Sequence, residues 1–348
     1  MQQDKIPTNE IKRCPPHEKE MEVQQTLTVR DDRLDSVKYW LIVLVIAGHV
    51  FTCREFADSK ACVVFWKWIY IFHMPLFIFI SGFLSRKKDK KNFLPSIWRI
   101  LEPLIIFQVL TIIPRILNKD FVNAFVIALT PWHMLWYLLS LVYYRLMLQF
   151  IPDKLLRHKK LILTCTFCIS ILAGFLPFDR FLSLQRTLAF MPFFFLGYYM
   201  RGKNLYLPNK YKPLCILFLI LMFAIPLFFP QYLSLKHADP YGSVFVAVKR
   251  MITFVFAIPM SVAFINICYN TPWIAQQGKL TMQYYIYHMF MLLIVMVAVG
   301  MLKIPTSFVT AVIITLGITL GIGILLKLSY TKELTNPSSL LRKEVKQK

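Results

Sequence analysis

The chain has 348 residues and a formal net charge of +22, with 57% hydrophobic residues and only 17% charged ones. Soluble domains carry about 25% charged residues and about 45–50% apolar ones, so this balance excludes an ordinary soluble domain and indicates a polytopic membrane protein. The charge argues little for nucleic acid, because the basic residues punctuate the gaps between apolar runs instead of forming one solvated face.

In chain order, residues 1–33 are polar and charged. They contain no apolar core of a cleavable signal and are expected to form a disordered cytoplasmic tail. Residues 34–328 are expected to form one membrane domain, and 329–348 a basic cytoplasmic tail. Ten spans are predicted within the domain: about 38–55, 64–84, 93–113, 131–150, 160–177, 183–200, 212–230, 246–268, 280–301 and 305–327. The sixth is the least regular, since Arg186 and Pro192 interrupt it. The expected fold is therefore all-α, a polytopic bundle of about ten transmembrane helices with both termini cytoplasmic.

Loop charge supports that orientation. The inner loops would be "SRKKDKKN", "PDKLLRHKK", "RGKNLYLPNKYK", "TPWIAQQGK" and the tail from Lys327, and four of these five are visibly basic. The outer loops hold one or two basic residues each, in keeping with the positive-inside rule. The seven cysteines show no paired or metal-ligand spacing. Cys165 and Cys168 are read as small core residues, and no metal is expected.

Ionisable groups within spans are costly and mark candidate sites. Lys38 falls at the inner mouth of the first span and His49 about 16 Å further along the helix, preceded by Gly48. His73 lies on the second span, which runs back inward, at a depth similar to that of His49. It is a candidate partner or second acid/base. In the third span, Arg99 can pair with Glu102 at i,i+3 or hold an anionic group through its planar fork. "PWHMLWYLLSL" places His133, Trp136 and Tyr137 near the outer interface, as an aromatic belt or as a platform on which sugar rings stack. In the ninth span, "GKLTMQYYIYHMFML" places His288 near the midplane among Tyr284, Tyr285 and Tyr287. Arg186 and Arg201 read as boundary anchors.

A neutral imidazole is the usual general base at physiological pH. A basic inner mouth with a deeper histidine suits transfer from an anionic cytosolic donor, such as an acyl-CoA, to a hydroxyl on or near the outer side. A transporter or flippase of glycans or lipid-linked sugars is the alternative, because intramembrane charges and broken helices mark such proteins too.

Lys38 and His49, with ten residues between them, resemble the first-helix signature of the acyltransferase-3 family of membrane O-acyltransferases. "IFHMPLFIFISGFL" resembles the second-helix motif of its fucose 4-O-acetylase-like branch. "WRILEPL", "HMLWYLLSL", "FFFLGYYMR" and "GKLTMQYYIYHM" resemble later blocks in the family's order, over roughly residues 30 to 330. The resemblance implies a ten-helix enzyme of the cell (plasma or inner) membrane of a bacterium, taking acetyl-CoA as donor and a cell-surface carbohydrate as acceptor. It implies His49 as the catalytic histidine and Lys38 as its basic partner, where arginine is the commoner choice. It leaves open direct transfer or an acyl-histidine intermediate. The added hydrolase-like domain of some branches is not expected here.

Overall fold

The computed structural model describes residues 30–117, 125–126, 128–131, 134–176, 181–228 and 244–328, and among these there is no strand. The long elements are α1 (Asp32–Phe51), α2 (Lys60–Phe83), α3 (Lys90–Leu117), α4 (Leu135–Phe150), α5 (Lys159–Leu172), α6 (Leu184–Met200), α7 (Lys212–Phe228), α8 (Val244–Ile267), α9 (Thr281–Met301) and α10 (Phe308–Leu325). One falls in each expected span. Seven of them, α1–α3 and α7–α10, are long and apolar enough to cross a membrane. The other three, α4, α5 and α6, are shorter, at 16, 14 and 17 residues. The protein is a polytopic helical membrane protein.

Polar residues set several helix starts. The Asp31 carboxylate accepts from the Arg33 and Leu34 amides at 2.9 and 3.1 Å. Ser59, Thr271 and Ser307 cap α2, the short helix Pro272–Gly278 and α10 in the same way. Each oxygen satisfies an amide that the first turn leaves without a partner.

Burial divides the helices. The most apolar window of α1 is 72% buried within the protein and that of α2 is 56% buried, against 22% for α7 and 28% for α10. In lipid an apolar side chain need not be covered, so α7 and α10 present their leucines and isoleucines to the bilayer while α1 and α2 build the centre. Helix α2 packs against α1, α6, α7, α8 and α10. Its contact with α6 is the closest: a methyl group added at Gly82 would collide with the Phe194 carbonyl, and one at Gly197 with the Phe79 carbonyl. Two glycines facing opposite backbones let these helices meet main chain to main chain.

Helix α6 turns out to be central. Ala189, Phe190, Met191, Phe193, Phe194 and Phe195 are all buried. Its polar start tolerates Arg186 because protein, not lipid, surrounds it. The entry is strained: Leu182 and Ser183 are left-handed, at φ 46° and 56°, a conformation uncommon outside glycine.

The short helix Pro272–Gly278 clamps the start of α1. Gly278 lies against the Asp35 carbonyl, Ser36 donates to Asn270 at 2.7 Å, and Lys279 pairs with Asp32 at 3.1 Å. One feature departs from the sequence reading. Cys165 and Cys168 are exposed on α5 and are not core residues. Arg250, at the start of α8, is buried and donates to the Ser170 carbonyl at 3.0 Å.

Candidate functional site

His49 lies two residues before the end of α1, and α9 continues thirteen residues beyond His288. The two rings meet with centroids 5.2 Å apart and planes at 37°. Sequence spacing pointed to His73 as the partner of His49. The structure places His73 on α2, buried, with its ring 4.7 Å from Tyr70 and its Nδ1 2.8 Å from the Ile69 carbonyl. Tyr70 in turn lies against Gly48, next to His49. His73 is thus linked to the α1 site through Tyr70, whereas His288 faces His49 directly.

The state of His288 follows from its neighbours. A carbonyl oxygen only accepts, so Nδ1, 3.3 Å from the Tyr284 carbonyl, carries the proton. Nε2 is then a bare lone pair. It is buried and makes no hydrogen bond to protein, in a residue 1% exposed. Unsatisfied buried polar atoms are uncommon and call for an explanation. A basic nitrogen beside a second imidazole fits a place where a proton moves.

Aromatic residues extend the site toward α4 and α6. Tyr285 lies 5.9 Å from His288 and 5.3 Å from Tyr137, centroid to centroid, and its hydroxyl donates to the Met134 carbonyl. Tyr137 is buried, and its hydroxyl shares a 2.8 Å hydrogen bond with Ser81 on α2. It therefore ties α2, α4 and α9 together more than it offers a free platform. Trp136 is half-buried, stacks on Phe190 at 5.6 Å, and carries the Arg186 guanidinium 5.3 Å from its ring centre. Arg186 is also within electrostatic reach of Tyr70 and Tyr285. A residue read as a boundary anchor is a cation of the site; its position inside a span was the signal. His133 lies outside the described residues.

The end of the bundle where α1 starts holds two groups of charge. Lys38 and His49 are eleven residues apart, about three turns, and so share one face of α1. Lys38 pairs with Asp35, which also binds Arg30. The lysine therefore arrives with one carboxylate shared between two cations. Arg99, on α3, belongs to a second group with Arg86, Lys88 and Arg145. Burial and the Arg145, Arg99 and Arg86 charges hold the Lys88 ammonium below the ordinary lysine range. Cations crowded so that they disfavour one another's charge suit an anionic ligand. The loop is fixed by a reciprocal pair of bonds between Lys88 and Gln149, at 3.1 and 2.9 Å. Among the described residues no cluster of three or more His, Cys, Asp or Glu is placed to hold a metal ion.

The structure thus brings His49, His288, Trp136 and Tyr137 into one neighbourhood, with His73 reached through Tyr70, and leaves Lys38 and Arg99 toward the end where α1 starts.

A 58-residue stretch is 43% identical to the nodulation protein NolL of Sinorhizobium fredii and 45% identical to that of Mesorhizobium japonicum. It covers 16% of this chain and 16% of each relative. No solved structure matches. The family model described as an acyltransferase domain matches residues 31–328, nearly the whole helical bundle. With that match over nearly the whole bundle, this chain belongs to the acyltransferase-3 family of membrane acyltransferases.

Proposed function

We propose that this protein is an O-acetyltransferase of the fucose 4-O-acetylase-like branch, moving an acetyl group from cytosolic acetyl-CoA to a hydroxyl of a cell-surface carbohydrate. The observation that carries this reading is the His49–His288 pair with its bare, buried Nε2, set on the same helix as Lys38. In this reading His49 takes the proton of the acceptor hydroxyl as its oxygen attacks the thioester carbonyl carbon. The tetrahedral intermediate then collapses, the carbon–sulfur bond breaks, and the CoA thiolate leaves with the proton returned from His49. His288 orients His49 and shares the proton. Arg186 stabilises charge developing on the carbonyl oxygen, and Trp136 offers its ring to the sugar. Lys38 and the Arg99 group attract the donor's phosphates.

The membrane domain spans 34–328, with cytoplasmic tails on both sides, in the plasma or inner membrane of a bacterium. The bacterial relatives support that setting. The test is free-CoA release by purified protein with acetyl-CoA and a panel of sugars. Turnover that depends on His49 supports the reading. Movement of a glycan across vesicles without acetyl-CoA consumption favours a transporter.

A further inference from the structure

A cavity of about 1000 Å³ opens at the inner end of the bundle, away from the paired histidines. It lies between the Asp31 cap of α1, the end of α2 at Phe83, the Asp153–Leu156 turn, the start of α5 and the end of α6. Four cations line it: Arg157, Lys159, Arg201 and Lys203. Its two carboxylates are already engaged. Asp153 pairs with Lys87 at 2.7 Å. Asp31 accepts from the Tyr206 hydroxyl at 2.7 Å while capping α1. None of the four lining cations is paired with a described acid. Two tyrosines, Tyr198 and Tyr199, contribute rings in T-shaped contact at 5.2 Å, and the Tyr199 hydroxyl is fixed to the Leu156 carbonyl at 3.0 Å.

Unpaired arginine and lysine suit phosphate, and tyrosine faces suit a flat base. A nucleotide has both. A lipid headgroup would use the cations but not the rings. The cavity also adjoins Lys87, whose chain neighbours Arg86 and Lys88 belong to the Arg99 group. Two cationic surfaces therefore flank one loop. An acyl-CoA carries its negative charge in two places, the diphosphate and the 3′-phosphate on the adenosine ribose. Resting on the acyl-CoA reading above, we propose that this cavity binds the 3′-phosphoadenosine end of the donor, while the Arg99 group takes the diphosphate. The cavity then selects acyl-CoA over donors that lack the 3′-phosphate.

The test compares acetyl-CoA with acetyl-dephospho-CoA, using wild-type protein and the Arg157→Gln/Arg201→Gln variant in neutral phosphatidylcholine nanodiscs. Binding and KM are both measured. The ratio between donors is internal to each protein, so partial loss of folded material cancels. Wild type is expected to prefer acetyl-CoA by roughly tenfold or more, the worth of one charge-assisted phosphate contact, and the variant to lose that preference. A wild type that binds both donors equally, or a variant that keeps the preference, overturns this proposal and leaves the acyl-CoA reading standing. Wild-type protein that binds neither donor overturns both. A variant that keeps its donor preference but no longer retains added phosphatidylglycerol makes the cavity a lipid site and overturns the proposal.

Discussion

A histidine in a membrane helix is costly unless its polar atoms are satisfied or used. His73 and His288 each bond a carbonyl of their own helix through Nδ1, Ile69 and Tyr284 respectively. What sets His288 apart is its ring contact with His49 and its buried Nε2 without a hydrogen bond. His288→Gln is expected to lower kcat by about 10²- to 10⁴-fold, the usual worth of a group that assists proton transfer, with the acetyl-CoA KM little changed. His73→Gln is expected to lower kcat far less. Steady-state kinetics on both variants check this, and equal losses would contradict it. Lys38→Met is expected to raise the acetyl-CoA KM by roughly ten- to a hundredfold, from the loss of a charge-assisted contact, and Lys38→Arg to preserve it. An unchanged KM for Lys38→Met would assign Lys38 to Asp35 alone. That Lys38 and His49 share one face of α1 was legible from their spacing. His288 as the facing ring was not, because spacing along a chain gives depth but not which of several helices packs alongside. Arg186 was visible but misread, since nothing in the sequence says whether a span is surrounded by lipid or by protein.

The glycines at the α2–α6 contact let two backbones meet directly. Gly82→Ala and Gly197→Ala each force a backbone apart and are expected to cost about 1–3 kcal/mol. Gly300→Ala is the control: nothing lies within 4 Å of a methyl group there. It is expected to be neutral or to stabilise by about 0.5–1 kcal/mol, through helix propensity. Thermal unfolding in detergent distinguishes them, and similar behaviour of all three would contradict the close approach. Helix positions were legible throughout, since each expected span holds one helix. Lengths were less so. Helix α4 starts at Leu135, four residues into its expected span, and α5 stops at Leu172, five before the end of its own, at turns that apolar composition alone does not announce, while α6 is apolar on faces that meet protein. Cys165 and Cys168 were misplaced for the same reason: a small apolar residue suits the lipid face as well as the core.

For the whole molecule, the basic loops divide the bundle into two ends. The 85–92, 151–159 and 201–212 segments gather at the end that also holds the α1 cap and the polar cavity. The His49–His288 pair lies toward the other end of α1. That arrangement expects accessibility reporters placed after Asp89 and Lys203 to be cytoplasmic, and one placed after Asp58 to face outward. A cytoplasmic signal at all three would reverse the donor and acceptor sides. The family match covers residues 31–328, and the proposed acyl transfer runs between these two sides. The most direct measurement is free-CoA release from acetyl-CoA by purified wild type and His49→Ala across a sugar panel, with acetyl-CoA binding followed in parallel. Wild type should release CoA, and His49→Ala should bind acetyl-CoA without turnover. A His49→Ala protein that turns over at the wild-type rate would contradict the central role given to the α1 histidine.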